Sequence, residues 1–211
     1  MEKKAKRKKV LRLEMKSLFQ KIWKLASPYQ DKRDDKNHAK IVTDYAIKLC
    51  ELENADENIV VPAAILHDIG WSQLSKKEKF SIFKNISKEE ERGIRIKHEK
   101  EGVNLAKKIL KKVNYEPNLI KKILEIIDGH DTRKEFLNKE DGIVRDADKL
   151  WRYSQIGFEA DTRRFKLSLM TPIQLLKLRK SQVSEKGYFY SQSAKEIARE
   201  EIEERGKEFI A

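Results

Sequence analysis

Apolar residues recur at three- and four-residue steps through nearly the whole of this chain, and little interrupts them: its 211 residues include only 8 glycines and 4 prolines. Hairpins and tight turns need residues suited to unusual backbone angles, so punctuation this sparse favours long helices. Leu11, Met15, Leu18, Phe19, Ile22 and Leu25 predict a first amphipathic helix ending before Pro28, and Ile41, Val42, Tyr45, Ala46 and Leu49 a second. Asn58 is the expected N-cap of a short helix through Leu66, with Pro62 in or near its first turn and Gly70 ending it shortly after Asp68. Ser87 and Glu90 have the spacing of a capping box at the head of a long helix to Val113. Further helices are expected from Pro117 to Gly129, Ile143 to Trp151, Ile173 to Leu178 and Ala194 to Phe209. Residues 71–86 read as a loop, and Gly187 to Tyr190 as an isolated strand candidate. The expectation is an all-α bundle of roughly seven to nine helices.

Length allows one domain. The expected organisation is a basic N-terminal tail over 1–12, a main domain over 13–160, and a C-terminal helical extension over 161–211 packing on the same domain. The formal charge is +12, and residues 1–9 carry six basic side chains, Lys3, Lys4, Lys6, Arg7, Lys8 and Lys9, against Glu2. Such a surface attracts polyanions. The tail reads first as a solvated arm, and nucleic-acid binding through it is the lesser expectation. Cys50 is the sole cysteine, which excludes an intramolecular disulfide and suits a reducing cytoplasm. No apolar run approaches the ~20 residues of a membrane span, so no membrane partner is expected.

The chain has four histidines, and each falls on or at the end of the apolar stripe of its own expected helix. His38 is in phase with Ile41, Val42, Tyr45 and Leu49; His98 with Gly102, Leu105, Ala106 and Ile109; His130 follows Ile123 and Ile127. His67 closes the Pro62–Leu66 segment and is followed by Asp68, while Asp148 lies between Val144 and Trp151. One inward histidine is usually a satisfied core residue. Four imidazoles and two carboxylates all pointing inward are another matter, because each needs a partner and a buried carboxylate is costly without one. A shared metal centre satisfies them together.

His38, the His67-Asp68 doublet within Ala-Ala-Ile-Leu-His-Asp-Ile-Gly, and Asp148 within Asp-Ala-Asp-Lys-Leu resemble the His…His-Asp…Asp signature of HD-domain proteins, over about residues 35–155. The resemblance implies an all-helical metal-dependent phosphohydrolase in which His38, His67, Asp68 and Asp148 bind a first metal. It further implies that His98 and His130 are the extra ligands of the binuclear branch, with Asp68 bridging. Asp146 and Asp148 both fit the last position; Asp148 is favoured because it follows a small residue and precedes a basic one. Asp131 could orient His130 or cap its turn.

Imidazole and carboxylate donors without thiolates suit one or two divalent ions, Mn, Fe, Co, Ni, Zn or Mg. The expected substrate is a phosphorylated small molecule, a nucleotide first among them. Developing phosphoryl charge needs cations, for which Lys97, Arg133 and Lys149 are the candidates, and Trp71 could stack on a base. A Gly-rich phosphate loop, a His-Glu-x-x-His pair and a Ser-centred elbow are all missing. The acidic doublet that alarmone-hydrolysing HD enzymes carry after their His-Asp pair is missing too. Two alternatives use the same residues differently: an HD-fold mixed-valent di-iron oxygenase, and a non-catalytic nucleic-acid-binding module.

Overall fold

The computed structural model describes residues 16–207 apart from 34, 85 and 166–169; the basic tail lies outside this range. Ten α-helices and no strands are present among the described residues. They are α1 (16–26), α2 (His38–Glu53), α3 (Glu57–Leu66), α4 (Lys76–Ser81), α5 (Lys88–Lys112), α6 (Pro117–Ile127), α7 (Lys139–Trp151), α8 (Gln155–Phe165), α9 (Pro172–Ser184) and α10 (Gln192–Lys207).

The bundle is organised around α3. Every residue from Ile59 to Leu66 is buried, the pattern of a helix enclosed on all sides, and α2, α6 and α7 pack around it. Its start differs from expectation. Asp56, not Asn58, is the N-cap, its carboxylate accepting the Asn58 N–H at 2.9 Å, and Glu57 adds a favourable charge in the first turn. Pro62 therefore sits mid-helix, where it cannot donate to the Asn58 carbonyl. The Tyr115 hydroxyl donates to that carbonyl at 2.8 Å instead, so a packed neighbour restores what proline removes.

Two helices escaped the sequence pattern. α4 is six residues long, too short for a period to show, and is held by a reciprocal box between Ser75 and Glu78. A short 3-10 helix, Ile69–Gln73, precedes it in what had read as loop. α8 carries Gly157 in its interior and a buried carboxylate, Asp161, on its inner face, which breaks the apolar stripe. The strand candidate at Gly187 to Tyr190 is irregular: the Tyr190 and Ser191 N–H groups donate to Asp146 on α7, both at 2.8 Å. Beyond it α10 packs on α2, α7 and α9, and Ala194, Ile197, Ala198 and Ile202 enter the same apolar core as Val42 and Leu66.

Candidate metal centre

Five elements each deliver donor groups to one point. His38 is the first residue of α2, held after Asn37, which takes a left-handed conformation at φ 61°. His67 caps the C-terminus of α3, and Asp68 follows it into the 3-10 helix. His98 lies midway along α5. His130 follows Gly129, whose φ of 98° turns the chain sharply after α6, a conformation glycine adopts without penalty. Asp148 projects from α7.

Asp68 is the hinge of the arrangement. Its Oδ2 lies 3.2 Å from His38 Nε2 and 3.8 Å from His67 Nε2, while Oδ1 lies 3.5 Å from His98 Nε2 and 3.4 Å from His130 Nε2. Asp148 Oδ1 completes the first group, 3.3 Å from His38 Nε2 and 3.6 Å from His67 Nε2. Asp146 serves elsewhere, accepting from the Tyr190 and Ser191 backbone and from the Ser191 hydroxyl at 2.8 Å.

The donors suit cations. The Nδ1–H groups of His67 and His130 donate to the carbonyls of Ala64 and Ile127, at 2.8 and 2.9 Å. These bonds turn Nε2 of each ring toward the carboxylates, the orientation seen in metal-ligating histidines. His98 is fully buried, and neither of its ring nitrogens has a hydrogen-bond partner. Buried polar atoms are rarely left so, and a cation at Nε2 would answer the need. The trios His38–His67–Asp68 and Asp68–His98–His130 each bring their ligand atoms within 4.8 Å of one another.

The local field points the same way. Burial alone would raise the Asp68 carboxyl, yet Arg33 and the surrounding imidazoles hold it well below the usual carboxylate range. Burial likewise opposes ionisation of Asp148, but His67 and His38 bring it down to about 2. Burial disfavours charge on His130; Asp68 and Asp131 overcome that and push it up to about 10. Burial dominates at His98 and lowers it. Two ionised carboxylates at the centre thus draw positive charge toward them.

Beside the centre opens a cavity of about 850 Å³, reaching His38, Asp68 and Asp148. Guanidinium groups of Arg33, Arg95, Arg152 and Arg164 line it, with Ile82, Phe83 and Trp151 as apolar wall. Arg33 donates to Asp68 Oδ2 at 2.7 Å, and Arg95 to Asp131 Oδ2 at 2.8 Å.

None of the cations expected from sequence lines the large cavity. Lys97 pairs with Glu78 at 2.6 Å; one residue from His98 on a helix is a turn of about 100° away from it. Arg133 folds over the Gly129 turn, donating to the carbonyls of Glu125 and Asp128 and to Asp141. Lys149 donates to the Tyr188 carbonyl and borders a second, smaller cavity. Trp71 is not free to stack on a base. It is buried, its ring parallel to His98 at 4.1 Å and under the Arg33 guanidinium at 4.1 Å, with Nε1–H donating to Asp68 Oδ1 at 3.1 Å. Two cavity arginines carried a sequence signal that went unread. Arg95 precedes His98 by three residues and Arg152 follows Asp148 by four, helical spacings that share a face. Arg33, in an irregular turn, and Arg164, on the unrecognised α8, carried none.

The model of the HD domain family matches residues 36–152, more than half of the chain. The chain belongs to the HD-domain family. Both metal-site trios lie inside that match, and the family is one of metal-dependent hydrolases. A predicted HD superfamily hydrolase from an uncultured Thermotogales bacterium has a similar structure, with TM-score 0.56 and 18% identity over 92% of this chain and 90% of that one. At that identity the likeness is one of fold, and it extends beyond the family match into the C-terminal helices. No curated protein matches the sequence. No helix among the described residues is long and apolar enough to cross a membrane.

Proposed function

We propose that this HD-domain protein is a binuclear phosphohydrolase that cleaves a phosphate ester or anhydride, with a nucleotide as the substrate class its cavity fits best. The observation that carries the proposal is the division of the Asp68 carboxylate, one oxygen toward His38 and His67, the other toward His98 and His130. In this reading His38, His67, Asp68 and Asp148 hold one ion and Asp68, His98 and His130 the other. Divalent ions so placed supply an acidified water and a clamp for phosphoryl oxygens.

The chain itself supplies the rest. Arg33, by donating to Asp68 Oδ2, fixes the carboxylate plane and presents its guanidinium to the cavity. Arg95 is braced by Glu91 and Asp131, and Arg152 and Arg164 by Asp161. These preorganised cations face the region where phosphoryl charge would accumulate, which favours transfer over mere binding. Ile82 and Phe83, both only partly buried, offer an apolar wall suited to a base.

The test is a panel of phosphomonoesters and nucleotides assayed for phosphate release with Mn²⁺, Co²⁺, Ni²⁺ and Mg²⁺. Metal-dependent release is expected, abolished together with bound metal in His67→Ala and Asp68→Ala. Failure to release phosphate from any member, or full activity in either variant, contradicts the reading. A di-iron oxygenase would use the same donors, but guanidinium-lined walls favour a phosphorylated substrate; oxygen uptake by the iron-loaded protein separates the two.

A further inference from the structure

The second cavity, about 370 Å³, meets the centre at His130, whereas the large one meets it at His38 and Asp68; both reach Asp131, Asp148 and Arg152. Its character is different. Four cations border it, Arg145, Lys149, Arg152 and Arg179. The carboxylates it touches are already engaged: Asp148 by His38 and His67, Asp131 by Arg95. Arg152 and Arg179 share one buried carboxylate, Asp161, which also serves Arg164. Lys149 rests on the faces of Phe136 and Tyr188, donates to the Tyr188 carbonyl, and forms no ion pair with any described residue. The Nε atoms of Arg145 and Arg179 are buried without partners. Arg145 in turn shares buried Asp141 with Arg133, so the cations here outnumber the carboxylates paired with them, an imbalance that a compact anion would offset.

Size divides the labour between the cavities. Ligand sites commonly run ~300–1,000 Å³; the large cavity with its apolar wall takes an organic moiety, and the small polar one a compact anion.

We propose that the small cavity is a subsite for a second phosphate directly linked to the one attacked, so that the preferred substrate is a phosphoanhydride of the diphosphate type and not a simple monoester. This rests on the phosphohydrolase reading and adds to it. Hydrolysis there breaks one P–O bond. The oxygen of water joins the attacked phosphorus, the bridging oxygen departs with its electron pair on the second phosphate, and the two water protons end on product oxygens or in solvent. Lys149 and Arg152 bind that departing phosphate, and Arg179 and Gln182, joined by a hydrogen bond of 2.7 Å, form the wall behind it.

The experiment compares calorimetric binding of methylenediphosphonate and methylphosphonate to the metal-loaded protein, in the wild type, Lys149→Gln and Arg152→Gln, with melting temperature and metal content recorded for each. Charge-assisted hydrogen bonds predict that the wild type prefers the diphosphonate by about 10-fold or more, that Lys149→Gln loses most of this margin while its methylphosphonate affinity changes little, and that Arg152→Gln, whose side chain borders both cavities, weakens both ligands. Lys149→Arg, which keeps the charge, is expected to retain the preference. Equal affinity for the two ligands in the wild type, or a preference untouched in Lys149→Gln, overturns the subsite. The hydrolysis panel reports separately. Release from monoesters alone leaves the phosphohydrolase reading standing and sinks this one.

Discussion

At the scale of single residues, what surrounds each donor matters as much as the donor itself. Trp71 is the clearest case. Its ring stacks on His98 while its N–H reaches Asp68 Oδ1, so one side chain positions two donors of the His98–His130 group. Trp71→Phe keeps the stack and removes the hydrogen bond; metal affinity is expected to fall by about 10-fold, as for other groups that orient ligands, and a competition titration against a metal-binding dye would measure it. An unchanged affinity would mean that Asp68 is held by Arg33 alone. The donors themselves were legible in sequence because six polar groups on apolar stripes demand a common explanation. Their supporting cast was not. Nothing in the sequence around Trp71 says that its ring lies flat against a histidine 27 positions later, and neighbouring cations such as Lys97 misled because helical neighbours point apart.

At the scale of elements, the close approach of α5 to the doublet decides whether the two groups share Asp68. A Cβ added at Gly70 would lie 2.0 Å from the His98 carbonyl oxygen and 2.4 Å from the Gly102 nitrogen, so the backbones meet where only glycine fits. Sequence alone marks Gly70 as a helix terminator; in the fold it lets α5 come near. Gly70→Ala is expected to push α5 outward, destabilise the fold by about 1–3 kcal/mol as overpacking commonly does, and weaken the ion at His98 and His130 before the one at His38 and His67. Denaturant titration and metal analysis of the same variant would check both halves. The helices were legible where apolar periods ran for several turns, as in α2, α5 and α6. They were missed where a single turn or a buried aspartate left no period, as in α4 and α8. Pro62 shows the converse: a residue that argues locally against a mid-helix position is accommodated because Tyr115 takes over its hydrogen bond.

At the scale of the whole molecule, charge and architecture act together. A chain of formal charge +12 with guanidinium groups gathered at one cavity attracts anions over distances set by ionic strength. Capture of a nucleotide is expected to slow as salt rises past ~0.1 M, where the Debye length is ~10 Å. The predicted signature is a falling kcat/KM with a steadier kcat; a kcat/KM independent of salt would confine the role of these arginines to the bound state. Composition made the sign of the charge plain from the outset, but not its concentration near the centre, because that depends on how α5, α7 and α8 converge. The proposed chemistry requires Asp68 to serve two ions at once. Metal content per chain, measured in the wild type and in His98→Ala after loading with Mn²⁺ and removal of loose ions, tests this most directly. Two ions in the wild type and one in the variant are predicted; a single ion in the wild type, or the same stoichiometry in both, would contradict it.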